Sequence, residues 1–170
     1  MSTVEKYELA AAIRMVGEEL ASADHNGSSP EFTVIVEGTP RNLQPILRDE
    51  VYRFVAEALR NALRHAAAQR VEVEIRYDDR FFRLRVRDDG KGIGPDVPRG
   101  DGRKGHYGLH GMRERAELVG GKLTIWSEVD SGAEIELIIP APRAKSTRRF
   151  WSFAKLSVTD TDVKGTIEYE

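Results

Sequence analysis

Two alternating runs, 71–77 and 81–87, restrict the folds open to this chain more than any other feature. In Val71-Glu-Val-Glu-Ile-Arg-Tyr77 and Phe82-Arg-Leu-Arg-Val-Arg87, apolar and charged residues take turns. Side chains of a strand point alternately to opposite faces, so each run has one face for a core and one for water. Asp78-Asp-Arg80 between them is turn chemistry, short enough for a hairpin. The sheet they build therefore has one wet side.

The other segments supply strands and cover. Leu9, Ile13, Val16 and Leu20 recur at helical spacing, which predicts a helix over 8–20. Turn residues follow, with His25 among them, and then a strand over 32–37. The strongest helix pattern runs over 46–67, where Val51, Phe54, Val55, Ala58, Leu59, Ala62 and Leu63 form a broad apolar stripe. Asp49 and Glu50 are placed near its start, where the helix dipole favours negative charge. Residues 94–107 are rich in Gly, Pro and charge and read as a mobile loop. A short helix is expected over 109–119, stopped by Gly120-Gly121, with Arg113 and Arg115 on its surface near Glu114 or Glu117. A second strand pair follows over 122–127 and 133–139, and 163–169 can add a strand. Five strands and three helices in this order give an α+β, two-layer sandwich with a mixed sheet and helices on one face. The order argues against a doubly wound dinucleotide fold.

Composition excludes several functions. There are no cysteines, hence no disulfide, thiolate catalysis or sulfur-ligated zinc. The net charge of -2 does not suggest nucleic acid or an anionic membrane as partner. No apolar run approaches the roughly 20 residues that span a bilayer, and no signal peptide is visible, so the expected location is the cytoplasm. Arg143, Lys145, Arg148 and Arg149 lie beside Phe150, Trp151 and Phe153. That patch reads as a contact surface or, more commonly, as a disordered tail.

Three groups of residues carry chemistry. Glu57, Asn61 and His65 are spaced by four and form a row beside the apolar stripe. An amide oxygen such as that of Asn61 can be one of the few protein ligands of magnesium. Glu57 can orient or deprotonate a water nearby, and His65 can donate to a phosphate. The same row is also what any amphipathic helix offers to solvent. Asp88 ends a strand before Gly90 and Gly92, which let the backbone turn sharply and approach a flat ligand. Its carboxylate suits an exocyclic amine such as that of adenine, although Asp-Gly is equally an ordinary turn. Gly105, Gly108 and Gly111 precede a helix whose free N–H groups suit phosphate, and Arg103 and Lys104 lie just before them. His106 and His110 have the spacing of a metal pair, but Tyr107 stands where a zinc protease needs its Glu.

Singly these motifs are weak, but their order and spacing are specific. Glu57-x-x-x-Asn61, Asp88-x-Gly90-x-Gly92 and Gly108-Leu-x-Gly111-Met-Arg-Glu-Arg115 resemble the N, G1 and G2 boxes of the histidine-kinase/gyrase-type ATPase superfamily. The wording Glu-Ala-Leu-x-Asn-Ala-x-Arg-His-Ala is similar to that of bacterial sensor histidine kinases of the nitrate-sensor type. The resemblance covers about residues 30–140. It implies a Bergerat α/β sandwich, mostly antiparallel, with ATP under a lid formed by 94–107.

Carried over by position, the resemblance implies that Asn61 coordinates Mg2+ and that Glu57 is the N-box acid. It puts His65 where a Lys or His contacts phosphate. Asp88 would receive the adenine amine, with Gly90, Gly92 and Ile93 shaping the pocket. Gly108, Leu109 and Gly111 would cap the triphosphate, with Lys104 reaching its end. Gly132-Ala133 stands where the family commonly has Gly-Thr, which departs from the pattern on the base side.

No upstream helix carries a histidine to accept phosphate. The chain therefore looks like the ATP-binding catalytic domain of a sensor histidine kinase without its dimerisation and phosphoacceptor domain. The expected divisions are a connector helix and loop at 1–29, the catalytic domain at 30–142 and a tail at 143–170. Its expected partners are that helical domain and a response regulator downstream, and the isolated domain is expected to be a monomer. The alternatives are a stand-alone serine kinase of the anti-sigma type and a non-catalytic nucleotide-sensing interaction module.

Overall fold

The computed structural model describes residues 8–22, 30–93, 107–141 and 166–169. Helix α1 (Glu8–Ser22) is followed by strand β1 (Glu31–Gly38) and helix α2 (Pro45–Arg60). A turn of π-helix (Asn61–His65) extends α2 and leads to β2 (Arg70–Tyr77) and β3 (Phe81–Asp88). Helix α3 (Tyr107–Leu118), β4 (Lys122–Glu128), β5 (Gly132–Pro140) and β6 (Thr166–Tyr169) complete the order. Of the expected lid at 94–107, residues 94–106, with Lys104, Gly105 and His106, lie outside the described residues, as do His25 and the 143–153 patch.

The six strands form one sheet in the order β1-β2-β3-β5-β4-β6. Only β1 and β2 run parallel, and α2 makes the crossover that a parallel pair requires. All other neighbours are antiparallel. The 163–169 stretch supplies the sixth strand, at the edge of β4, with Thr166 opposite Trp126 and Tyr169 opposite Leu123.

Alternation explains the register. Val73 faces Val86, Ile75 faces Leu84, and Leu84 faces Leu137. These residues are buried, and Ile13, Val51, Phe54, Leu59, Leu63 and Met112 of the three helices close over them. The other face carries an acidic β2, a basic β3 and an acidic β5. Glu74 bonds both Arg83 and Arg85, and Arg87 reaches Glu134 at 2.6 Å. Although burial alone raises the Glu74 pKa, the two arginines outweigh it and hold the carboxyl below its usual range. Arg76 and Arg83 are opposite like charges. Arg76 turns away from that conflict, lying 3.9 Å from Glu37 on β1 and over the Phe81 ring.

Helix α2 differs from its sequence reading at both ends. It begins at Pro45, whose fixed φ and missing N–H suit the first helical position. Asp49 and Glu50 consequently fall in the second turn, beyond the strongest dipole field. They make ion pairs instead: Asp49 with Arg48 at 3.8 Å, and Glu50 with Arg53 at 3.4 Å. Glu50 also holds Arg115 of α3 at 3.1 Å, so Arg115 ties two helices together rather than pairing with Glu114 or Glu117. Arg113 does pair with Glu117, at 3.3 Å. At the far end the helix widens, with Ala66 N–H donating to the Asn61 carbonyl five residues back at 2.9 Å. Ala67 then leaves the helix at φ 51.

Candidate functional site

The widened turn brings the first two motif groups together. Ala66 N–H is held by Asn61, and the Ala66 carbonyl accepts from Lys91 N–H at 2.9 Å. Gly90 packs directly on Ala66: a Cβ there would sit 2.5 Å from the Ala66 oxygen. The helix end bearing Asn61 and the glycine turn after β3 are thus joined through one residue.

The turn itself is pinned from three directions. Asp88 accepts from Gly90 N–H at 2.8 Å. Asp89 accepts from Gln69 and Arg70 N–H groups, both at 2.8 Å, fixing the turn to the start of β2. Ser127 accepts from Ile93 N–H at 2.7 Å and donates to the Gly132 carbonyl at 3.2 Å. Gly92 adopts φ +71 beside the Glu128 carbonyl, where a side chain would be both strained and blocked.

Burial raises the Asp88 pKa, and backbone bonds from Gly90 and Ala133 partly oppose this. The half-buried carboxyl is therefore a poor place for an unpartnered charge. It is well placed to accept a hydrogen bond from a ligand.

The second glycine group meets the helix row. A Cβ on Gly108 would lie 2.4 Å from Glu57 Oε1 and 3.5 Å from Asn61 Nδ2. The start of α3 thus rests against the acid and the amide of α2, and a side chain at 108 would displace the Glu57 carboxylate. Glu57 Oε2 is held by Arg60 at 2.5 Å. A Cβ on Gly111, by contrast, would meet nothing within 4 Å. Glu57 and Asn61 themselves offer the oxygen donors that a magnesium ion takes. Leu109 is half-buried against the core. His65 is exposed on the last turn. His110 lies 3.3 Å from Glu114, and no metal-holding cluster occurs among the described residues.

Sequence reasoning missed Asp89, Ser127, Arg60 and Ala66. Asp89 had a signal in the doubled Asp88-Asp89. Ser127 closes an ordinary strand pattern, and its partners Ile93 and Gly132 are distant in sequence.

A family model described as histidine kinase-, DNA gyrase B-, and HSP90-like ATPase matches residues 47–143. The chain is 37% identical over 94 residues to the sensor histidine kinase YdfH of Bacillus subtilis (strain 168), covering 54% of this chain and 22% of that one. It is 37% identical over 100 residues to the sensor protein VraS of Staphylococcus aureus (strain COL), covering 59% of this chain and 28% of that one. The chain thus spans under a third of the length of either relative. The histidine kinase domain of the Erythrobacter litoralis EL346 blue-light activated histidine kinase superposes with a TM-score of 0.61 at 23% identity, over 78% of this chain and 60% of that one. A longer structure of the same kinase gives 0.58 at 24% identity, over 78% and 41%. These two likenesses establish the fold. The family match spans more than half of the chain, and the chain belongs to the histidine kinase-, DNA gyrase B- and HSP90-like ATPases.

Proposed function

We propose that this chain is the ATP-binding catalytic domain of a two-component sensor histidine kinase. It binds Mg-ATP and presents the γ-phosphate to a histidine on a separate helical domain, from which a response regulator receives it. The observation that carries this reading is the seating of Gly108 against Glu57 and Asn61, which brings the start of α3 onto the polar row of α2.

In this reading Asp88 accepts the exocyclic amine of adenine. Gly90, Gly92 and Ile93 line the base, and Ser127 holds the Ile93 amide in place. Asn61 holds Mg2+, which when bound supplies charge neutralisation for the triphosphate. Gly108, Leu109 and Gly111 cap the phosphates, while His65 and Lys104 contact them. Glu57 orients groups at the phosphate end. Catalysis is mostly positioning and electrostatics. The names of the two sensor relatives support the kinase reading.

The test is transfer of label from ATP to a supplied dimerisation and phosphoacceptor domain. The parent is expected to give an acid-labile phosphohistidine, and Asn61→Ala to lose transfer by about a hundredfold or more while keeping its fold. Normal transfer by Asn61→Ala, or an acid-stable phosphoserine, contradicts the reading.

A further inference from the structure

At the end of the sheet opposite Asp88, a cavity of about 330 Å³ opens between the start of α1, the 39–44 connection and the start of α2. That volume is at the lower end of small-molecule pockets, about 300–1,000 Å³. Leu9, Leu43 and Pro45 give it an apolar wall, and Arg41, Asn42 and Tyr77 give it polar groups. Glu8 and Arg48 also line it, but they satisfy each other at 3.3 Å, and Arg48 lies 3.8 Å from Asp49.

Three groups at this cavity have no side-chain partner among the described residues. Arg41 makes one hydrogen bond, to the Phe81 carbonyl at 3.4 Å, and has no carboxylate partner among the described residues. Tyr77 is only 8% exposed, its ring edge-on to Phe82, and its hydroxyl has no hydrogen-bond partner among the described residues. Its oxygen is not sealed from solvent, so the hydroxyl is accessible to a ligand in the cavity. Burial raises the Tyr77 pKa and Arg41 opposes this, so the hydroxyl keeps its proton and remains a donor at neutral pH. Finally, Gln44, the residue before α2, makes no side-chain cap, so the first amides of the helix lack a side-chain acceptor.

We propose that this cavity binds a small monocarboxylate with an apolar body. The carboxylate takes the Arg41 guanidinium, the Tyr77 hydroxyl and the positive end of α2, and the body lies on Leu9, Leu43 and Pro45. One uncompensated arginine matches one negative charge, whereas the Glu8 carboxylate on the same wall disfavours a dianion such as phosphate. The site is separate from the nucleotide residues, since α2 has 16 residues and spans about 24 Å between this cavity and Asn61. The inference does not depend on the kinase reading.

The experiment is a titration of the full chain with sodium benzoate, followed by NMR shifts, with benzyl alcohol as the neutral control. Benzoate is expected to bind, and benzyl alcohol to bind at least about tenfold more weakly. Arg41→Gln and Tyr77→Phe are each expected to weaken benzoate by about tenfold, the scale of one charged hydrogen bond. Tyr77→Phe keeps the ring against Phe82, so it decides the matter even where Arg41→Gln disturbs the fold. No benzoate binding, equal binding of the alcohol, or equal binding by parent and Tyr77→Phe overturns the proposal.

Discussion

Gly108 and Gly111 look alike in the sequence, and the structure separates them. At Gly108 the constraint is internal, because Glu57 occupies the space a side chain would need. At Gly111 there is no internal constraint, although a glycine inside a helix lowers stability. Gly111→Ala is therefore expected to stabilise the unliganded protein by about 0.5–1 kcal/mol in urea unfolding. It is expected to weaken binding of an ATP analogue by about tenfold or more, because in the proposed reading the methyl would meet the phosphates. A variant that binds the analogue like the parent would remove Gly111 from the site. Asp88 has a related asymmetry. With its folded pKa raised, folding favours the protonated form, so stability falls as pH rises from 3.8 through the folded pKa. The ionised carboxylate is a cost to the empty fold and a contact for a ligand. These candidate residues were legible because motif order singles them out. Asp89 and Ser127 act through non-local backbone amides, which no local pattern announces.

The sheet's charged face is the element most fully written in the sequence, and also the one with the clearest pH behaviour. The alternation in 71–77 and 81–87 gives the strands, and the sign change from strand to strand gives the pairs. Glu74 is buried to 6% exposure between Arg83 and Arg85. Glu74→Gln leaves two arginines facing a neutral group, and about 2 kcal/mol of stability is expected to be lost at pH 7. Because the folded pKa lies below 4.5, the Glu74 contribution is complete above about pH 4.5 and fades as pH falls through the folded pKa. The parent should thus lose stability on acidification more steeply than the variant in parallel urea melts. Identical slopes would mean that the ladder is not held as described. The end of α2 was less legible. Its apolar stripe continues unchanged to Leu63, so helical spacing alone could not reveal the switch to a five-residue hydrogen bond at Asn61.

At the scale of the whole molecule, one core is shared by all three helices and the sheet, and the site is assembled at one end of it. Helix α2 carries Glu57 and Asn61, the β2–β3 hairpin delivers Asp88, and α3 brings Gly108 back onto α2. The strand order β1-β2-β3-β5-β4-β6 was not predictable from patterning, because alternation specifies a face and not a neighbour. No helix among the described residues is long and apolar enough to cross a membrane. The central claim is that these pieces form one magnesium-dependent ATP pocket, and its most direct test is calorimetric titration of a non-hydrolysable ATP analogue. The account predicts binding that strengthens at least tenfold with Mg2+. It also predicts that Asp88→Asn loses this binding by about a hundredfold while unfolding at a urea midpoint no lower than the parent's. A parent that binds no nucleotide, or an Asp88→Asn variant that binds as the parent does, would contradict it.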